Sequence, residues 1–216
     1  DFCSSLKQGI LLMKKKNQDI ICIWIFPVLS LLLTVGIIWS NPQSFCEGSA
    51  GRLYIQNAIQ GKIGYGCAGY YGNPINFSGL EPGDLILGSY PDCAYGEYSH
   101  AGLYLGNGKV LEGFVDLGVN IQDIEHYRQY QKICLLHIKA DKKIKNQAVE
   151  SAQKYEGALF YPLAFKPGDR IFNCTKIMWL AYMQQGIDLA PDAKLWISPD
   201  DFKRSPYASV IGEGEI

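Results

Sequence analysis

Two regimes of apolar and polar patterning divide the chain. From Ile20 to Trp39 it runs IICIWIFPVLSLLLTVGIIW, twenty residues without a charge. At about 1.5 Å per residue, such a helix covers roughly the 30 Å of a bilayer's hydrocarbon core. Beyond it, short apolar runs are cut by turn residues. Arg52 to Gln60 predicts a short helix, and the glycine-rich stretch from Gly61 to Gly79 a loop. Strands are expected at Leu85–Gly88, His100–Gly106, Lys109–Val115 and Lys132–Lys139, with a further one at Val119–Gln122. Asn107-Gly108 is a hairpin signal between two of them. Asp123 caps a short helix reaching about Tyr130, and helices follow at Lys143–Tyr155 and Cys174–Gln185, the latter closed by Gly186. Ser198-Pro199 marks a turn, and the tail beyond reads as loop. Strands first and helices later predict an α+β fold, a small antiparallel sheet packed against helices.

Charge and context refine this picture. Lys14, Lys15 and Lys16 precede the apolar segment, which by the positive-inside rule places them in the cytoplasm and the rest of the chain outside. Met13 opens a plausible start, so residues 1–12 read as an upstream or non-native extension, and 13–39 as a signal anchor. If the segment is cleaved, the product is secreted. Residues 40–60 form a tether and short helix, 61–205 the main domain and 206–216 a tail. The 216 residues carry a net charge of −1, which excludes a basic nucleic-acid-binding surface. Of seven cysteines, Cys3 and Cys22 lie in the extension and span. Cys46, Cys67, Cys93, Cys134 and Cys174 face an oxidising compartment, and their odd number leaves at least one unpaired. A disulfide between two of Cys46, Cys67 and Cys93 is the expected pairing.

Candidate chemistry is sparse. His137 alternates inside an apolar strand and reads as structural, while His126 sits on a polar helix and reads as solvent-exposed. His100 starts a strand after a polar loop, where a rigid element can hold a side chain beside open access. Cys174 opens a helix. There the free N–H groups and the helix dipole favour a thiolate and can hold an oxyanion. A cysteine and a histidine so placed are the parts of an activated nucleophile. No CxxC, HExxH or phosphate-loop pattern occurs, so neither metal nor cofactor is expected.

Three segments, GDLILGS, SHAGLYLGNGKVLEG and FNCTKIMWLAYMQQGIDL, resemble the YiiX-type permuted papain-like amidases of the NlpC-type superfamily, over about Glu81 to Leu189. The histidine strand comes first and the cysteine helix last, the permuted order. The resemblance implies a circularly permuted papain-like fold with Cys174 as nucleophile, His100 as base and Glu112, twelve residues beyond the histidine, as the third member. It also implies an oxyanion role for Tyr161. Asp116 and Asn120 are alternatives to Glu112, which could equally be a solvent-facing strand charge; Tyr161 could equally be a packing residue. Asn173 stands where unpermuted relatives often carry aspartate.

A tight two-residue turn at Asn107-Gly108 would point Glu112 away from His100. The triad therefore requires a three-residue loop or a bulge in the hairpin. The implied activity is that of a membrane-anchored extracytoplasmic cysteine hydrolase acting on a peptide or acyl-amide bond, with cell-wall peptides as candidate substrates. Two alternatives stand beside it. One is lipid acyl transfer or thioester chemistry of the lecithin retinol acyltransferase kind. The other is a non-catalytic, anchored binding module with Cys174 in a disulfide.

Overall fold

The computed structural model describes residues 23–42, 45–47 and 49–216. Met13, the lysines at 14–16, Cys3 and Cys22 lie outside them. The chain divides into two units, the first ending at Pro42. That first unit is helix α1, Ile23–Ser40, 18 residues long and apolar enough to be a membrane span or a signal sequence.

The second unit begins with α2 (Ala50–Ile59), capped by the Ser49 side chain. A six-stranded antiparallel sheet follows, built from β1 (Leu85–Ser89), β2 (His100–Gly106), β3 (Lys109–Phe114), β4 (Gly118–Asp123), β5 (Lys132–Ile138) and β6 (Ala208–Glu215). Their spatial order is β4-β3-β2-β1-β5-β6. A 3-10 helix, Ile124–Gln129, joins β4 to β5, and α3 (Lys142–Gln153), α4 (Cys174–Met183) and α5 (Pro199–Lys203) complete the unit. The α+β expectation holds. The supposed tail at 206–216 is corrected: Ala208–Glu215 pairs with β5 along seven residues. Glycines 212 and 214 hide the strand's period, which is why the segment does not look like one.

Both faces of the sheet are covered. On one, Leu85, Leu87, Leu103, Leu111 and Leu136 pack against Ala148 and Ala152 of α3 and Ile177, Met178 and Ala181 of α4. On the other, Ile86, Val110, Ile133 and Leu135 pack beneath Tyr127 and Tyr130 of the β4–β5 connection. Gly88 and Gly102 make room for those rings. A Cβ at Gly88 would stand 2.5 Å from the Tyr130 ring, and one at Gly102 would stand 2.4 Å from the Tyr127 hydroxyl.

One ionic knot ties α3 to the sheet. Asp84 has no exposed surface, and its Oδ1 accepts from Lys145 Nζ at 2.7 Å and from Ile138 N–H at 3.0 Å, while Oδ2 accepts from Glu81 N–H at 2.8 Å. His137 Nδ1 stands 3.2 Å from the same carboxylate, in keeping with a structural role. Breaking a buried pair by removing one partner strands the other charge, whereas replacing both is far milder. Asp84→Ala should therefore cost about 3–5 kcal/mol in urea unfolding of the detergent-solubilised chain. The Asp84→Ala/Lys145→Met double variant should recover a large part of that loss. A double variant no more stable than the single would mean that the pair is not the source.

Candidate active site

The β2–β3 hairpin decides whether His100 and Glu112 can meet. Asn107 and Gly108 form a two-residue turn with positive φ (51° and 70°), pairing Gly106 with Lys109. Beyond it the register shifts, and Tyr104 pairs with Val110 and Leu103 with Leu111. The extra residue, Leu105, is the bulge that the triad requires. In the shifted register His100 lies across from Phe114, and their rings stack with centroids 4.7 Å apart. Glu112 then falls on the face of the sheet that carries His100.

His100 Nε2 stands 2.7 Å from Glu112 Oε2, and the Glu112 side chain has no exposed surface. This overturns its reading as a solvent-facing strand charge. Asp116 is exposed in the β3–β4 turn, and Asn120 is engaged with Gly118 O and Gln122, so neither alternative is called upon.

Cys174 is the first residue of α4, and Asn173 is its N-cap, with Oδ1 accepting from Lys176 N–H at 2.8 Å. The Asn173 amide also donates to Pro162 O at 3.2 Å. An ionised aspartate could make the first bond but not the second, since it has no donor. Thr175 Oγ1 bonds Ile197 O at 2.7 Å, fastening the helix start from the other side. With His100 Nε2 committed to Glu112, Nδ1 is the nitrogen left for a second partner, and Cys174 is, with Glu112, one of the two groups that raise the ring's pKa.

Burial alone would hold His100 neutral. The hydrogen bonds to Cys174 and Glu112, and their charges, outweigh it and push the imidazole up to about 10. Glu112 is likewise buried, yet the two imidazoles hold its carboxyl below the ordinary range. The second imidazole is His126, which the sequence reading left in solvent. That reading is corrected: its side chain is largely covered, and Nε2 lies 3.0 Å from Glu112 Oε1. The contact is off the line of a good hydrogen bond and acts as an ion pair. No sequence signal within the polar helix EHYRQ marks it; only the turn of the 3-10 helix over β3 does. The Tyr127 hydroxyl is also buried there, without a hydrogen-bond partner.

Tyr161 lies on the loop before Cys174. Its backbone N–H donates to Phe172 O at 2.7 Å, and its ring is half exposed. No disulfide joins Cys67, Cys93, Cys134 or Cys174, so the expected pairing is not seen for Cys67 or Cys93. Burial pushes the Cys93 and Cys134 thiols up, Cys134 to about 11. Two open concavities, of about 740 Å³ beside Asn73–Asn76 and about 530 Å³ beside His137, both lie away from Cys174.

No protein-family model matches the chain, and no curated protein matches it in sequence. In structure it is similar to the metalloprotein YiiX of Escherichia coli O157:H7, with a TM-score of 0.52 over 61% of this chain and 96% of that one, at 14% identity. The likeness shows a YiiX-like fold. It does not reach to chemistry at that identity. Nor do the donors here fit a metal as they stand. Both imidazole Nε2 atoms are spent on Glu112 oxygens, and no group of three or more His, Cys, Asp or Glu among the described residues is arranged to hold an ion.

A raised histidine stabilises the fold fully below its ordinary pKa, near 6.5, and loses that contribution as pH climbs to the folded value. The stability gap between wild type and His100→Asn should therefore be widest below pH 6.5 and close as pH rises to about 10. Thermal unfolding across that range measures it; a constant gap would mean a neutral native His100.

Proposed function

We propose that the chain is a cysteine hydrolase of the permuted papain-like kind, acting on an amide bond. The carrying observation is buried His100, which meets the Glu112 carboxylate at 2.7 Å and is raised by that carboxylate and by Cys174 at the start of α4. The Cys174 thiolate attacks the carbonyl carbon and forms a C–S bond. The oxyanion lies against the Cys174 N–H and, in this reading, Tyr161. The His100 imidazolium gives its proton to the leaving nitrogen as the C–N bond breaks. Water then loses a proton to His100 and attacks the thioester, the C–S bond breaks, and the acid leaves with the thiolate restored. Glu112 orients His100 and stabilises its cation. In this reading α1 holds the enzyme in a membrane with the domain outside it.

A second substrate class has an observation in its favour. Val115 and Leu117 on the β3–β4 turn, and Leu159 and Leu163 on the loop leading to Cys174, are exposed. Exposed apolar side chains on these two loops suit an acyl ester as well as a peptide.

Paired electrophilic acyl amides and esters test both readings. Cys174→Ala should abolish covalent labelling, and His100→Ala should lower turnover by about 10³-fold or more, as for other triads. Preference for the ester, with transfer to a lipid hydroxyl, would favour the acyltransferase. Full turnover in Cys174→Ala would end the thiol reading altogether.

A further inference from the structure

The chemistry just described uses one oxygen of Glu112 and leaves the other, Oε1, facing His126. His126 is set by the start of the 3-10 helix, where Asp123 caps with its carboxylate on Glu125 N–H at 3.0 Å. The His126 Nδ1 lies 2.6 Å from Asp123 O. A carbonyl only accepts, so Nδ1 carries a hydrogen. Burial opposes a charge on His126, but the Glu112 carboxylate 3.0 Å from Nε2 outweighs it and raises the imidazole above its ordinary value, so the doubly protonated ring is favoured.

Glu112 is thus a buried anion clasped between two cationic rings. With a thiolate at Cys174 the charges run minus, plus, minus, plus, and the group as a whole is neutral. A buried charge is tolerated only when so compensated. Other groups face the cluster: Tyr127 and Tyr130 are uncharged, and the Asp123 carboxylate is turned toward Glu125 N–H and Lys109 Nζ, 3.4 Å away. None of them can replace His126 as the cation on Oε1.

We propose that His126 is a positioning residue, which from the side opposite His100 keeps Glu112 ionised and its Oε2 aimed at His100 Nε2. Without it, Oε1 would have only the Tyr127 hydroxyl to turn to, and the buried carboxyl would take up a proton at higher pH. A protonated Glu112 no longer stabilises the His100 imidazolium. The kinetic part of this role rests on the cysteine-hydrolase reading; the ion pair does not.

The test uses the full chain in detergent micelles, where only three histidines titrate. Imidazole NMR should show the His126 pKa falling by about one unit or more in Glu112→Gln. Iodoacetamide labelling of Cys174 and turnover of an acyl-amide probe are followed against pH. In His126→Ala the acid limb should move up by about one unit, and kcat should fall about 10–100-fold with KM nearly unchanged. His126→Gln keeps an N–H donor without the charge. It should restore most of the rate at pH 8 yet keep the displaced limb, which a merely structural role would not produce. A wild-type limb and rate in both His126 variants would overturn the proposal, as would a His126 pKa indifferent to Glu112→Gln. A wild-type chain whose Cys174 neither labels nor turns over would remove the hydrolase and the kinetic role together. The histidine titration would then still decide the ion pair.

Discussion

A carboxylate without exposed surface has to be neutralised where it sits, and Glu112 sets that demand on β3, one strand in from the edge of the sheet. Both of its oxygens meet imidazole nitrogens, one from His100 on the neighbouring strand and one from His126 on the crossing helix. That clasp needs Tyr127 and Tyr130 to close over it, and the two rings need Gly88 and Gly102 beneath them. It also needs the bulge at Leu105, because a regular hairpin would turn Glu112 to the face filled by α3 and α4. The glycines, the bulge and the 3-10 helix are thus consequences of one buried charge.

A second buried carboxylate, Asp84, does the corresponding structural work at the far end of β1. It joins α3, β5 and the turn before β1 through Lys145, Ile138 N–H and Glu81 N–H. A third, Asp200, accepts from Glu97 and Tyr98 N–H at 2.9 Å each and so fixes the loop that delivers His100. The three differ in what they face. Asp84 meets a lysine, backbone donors and the half-exposed His137, and Asp200 meets backbone N–H groups; both give rigidity. Glu112 faces two imidazoles whose protonation it shifts, and for that reason it suits chemistry.

The YiiX likeness extends over nearly all of that protein at 14% identity, so the sheet and its flanking helices are shared with very different side chains. Sheet packing tolerates such replacement as long as volume and patterning persist. The clasp around Glu112 is not a matter of volume; it depends on two imidazoles meeting one carboxylate.

Much of the architecture was legible from sequence because strand and helix periods are local. The apolar segment that becomes α1, the Asn107-Gly108 turn, the Asp123 cap and the cysteine at the start of α4 all follow from neighbours a few residues apart. The family resemblance implies the grouping of Cys174, His100 and Glu112, of which the His100–Glu112 contact is seen, and the hairpin pattern implies a bulge that only the observed register supplies. Three things lay beyond reach: β6, whose partner strand lies about seventy residues earlier; the burial of Glu112, which looks like any charged strand residue; and His126, which sits among the polar residues of its short helix. Local pattern reports which face of an element is apolar. It does not report which charged side chains from distant segments are brought together out of water, because that energy exists only once the low-dielectric interior has formed.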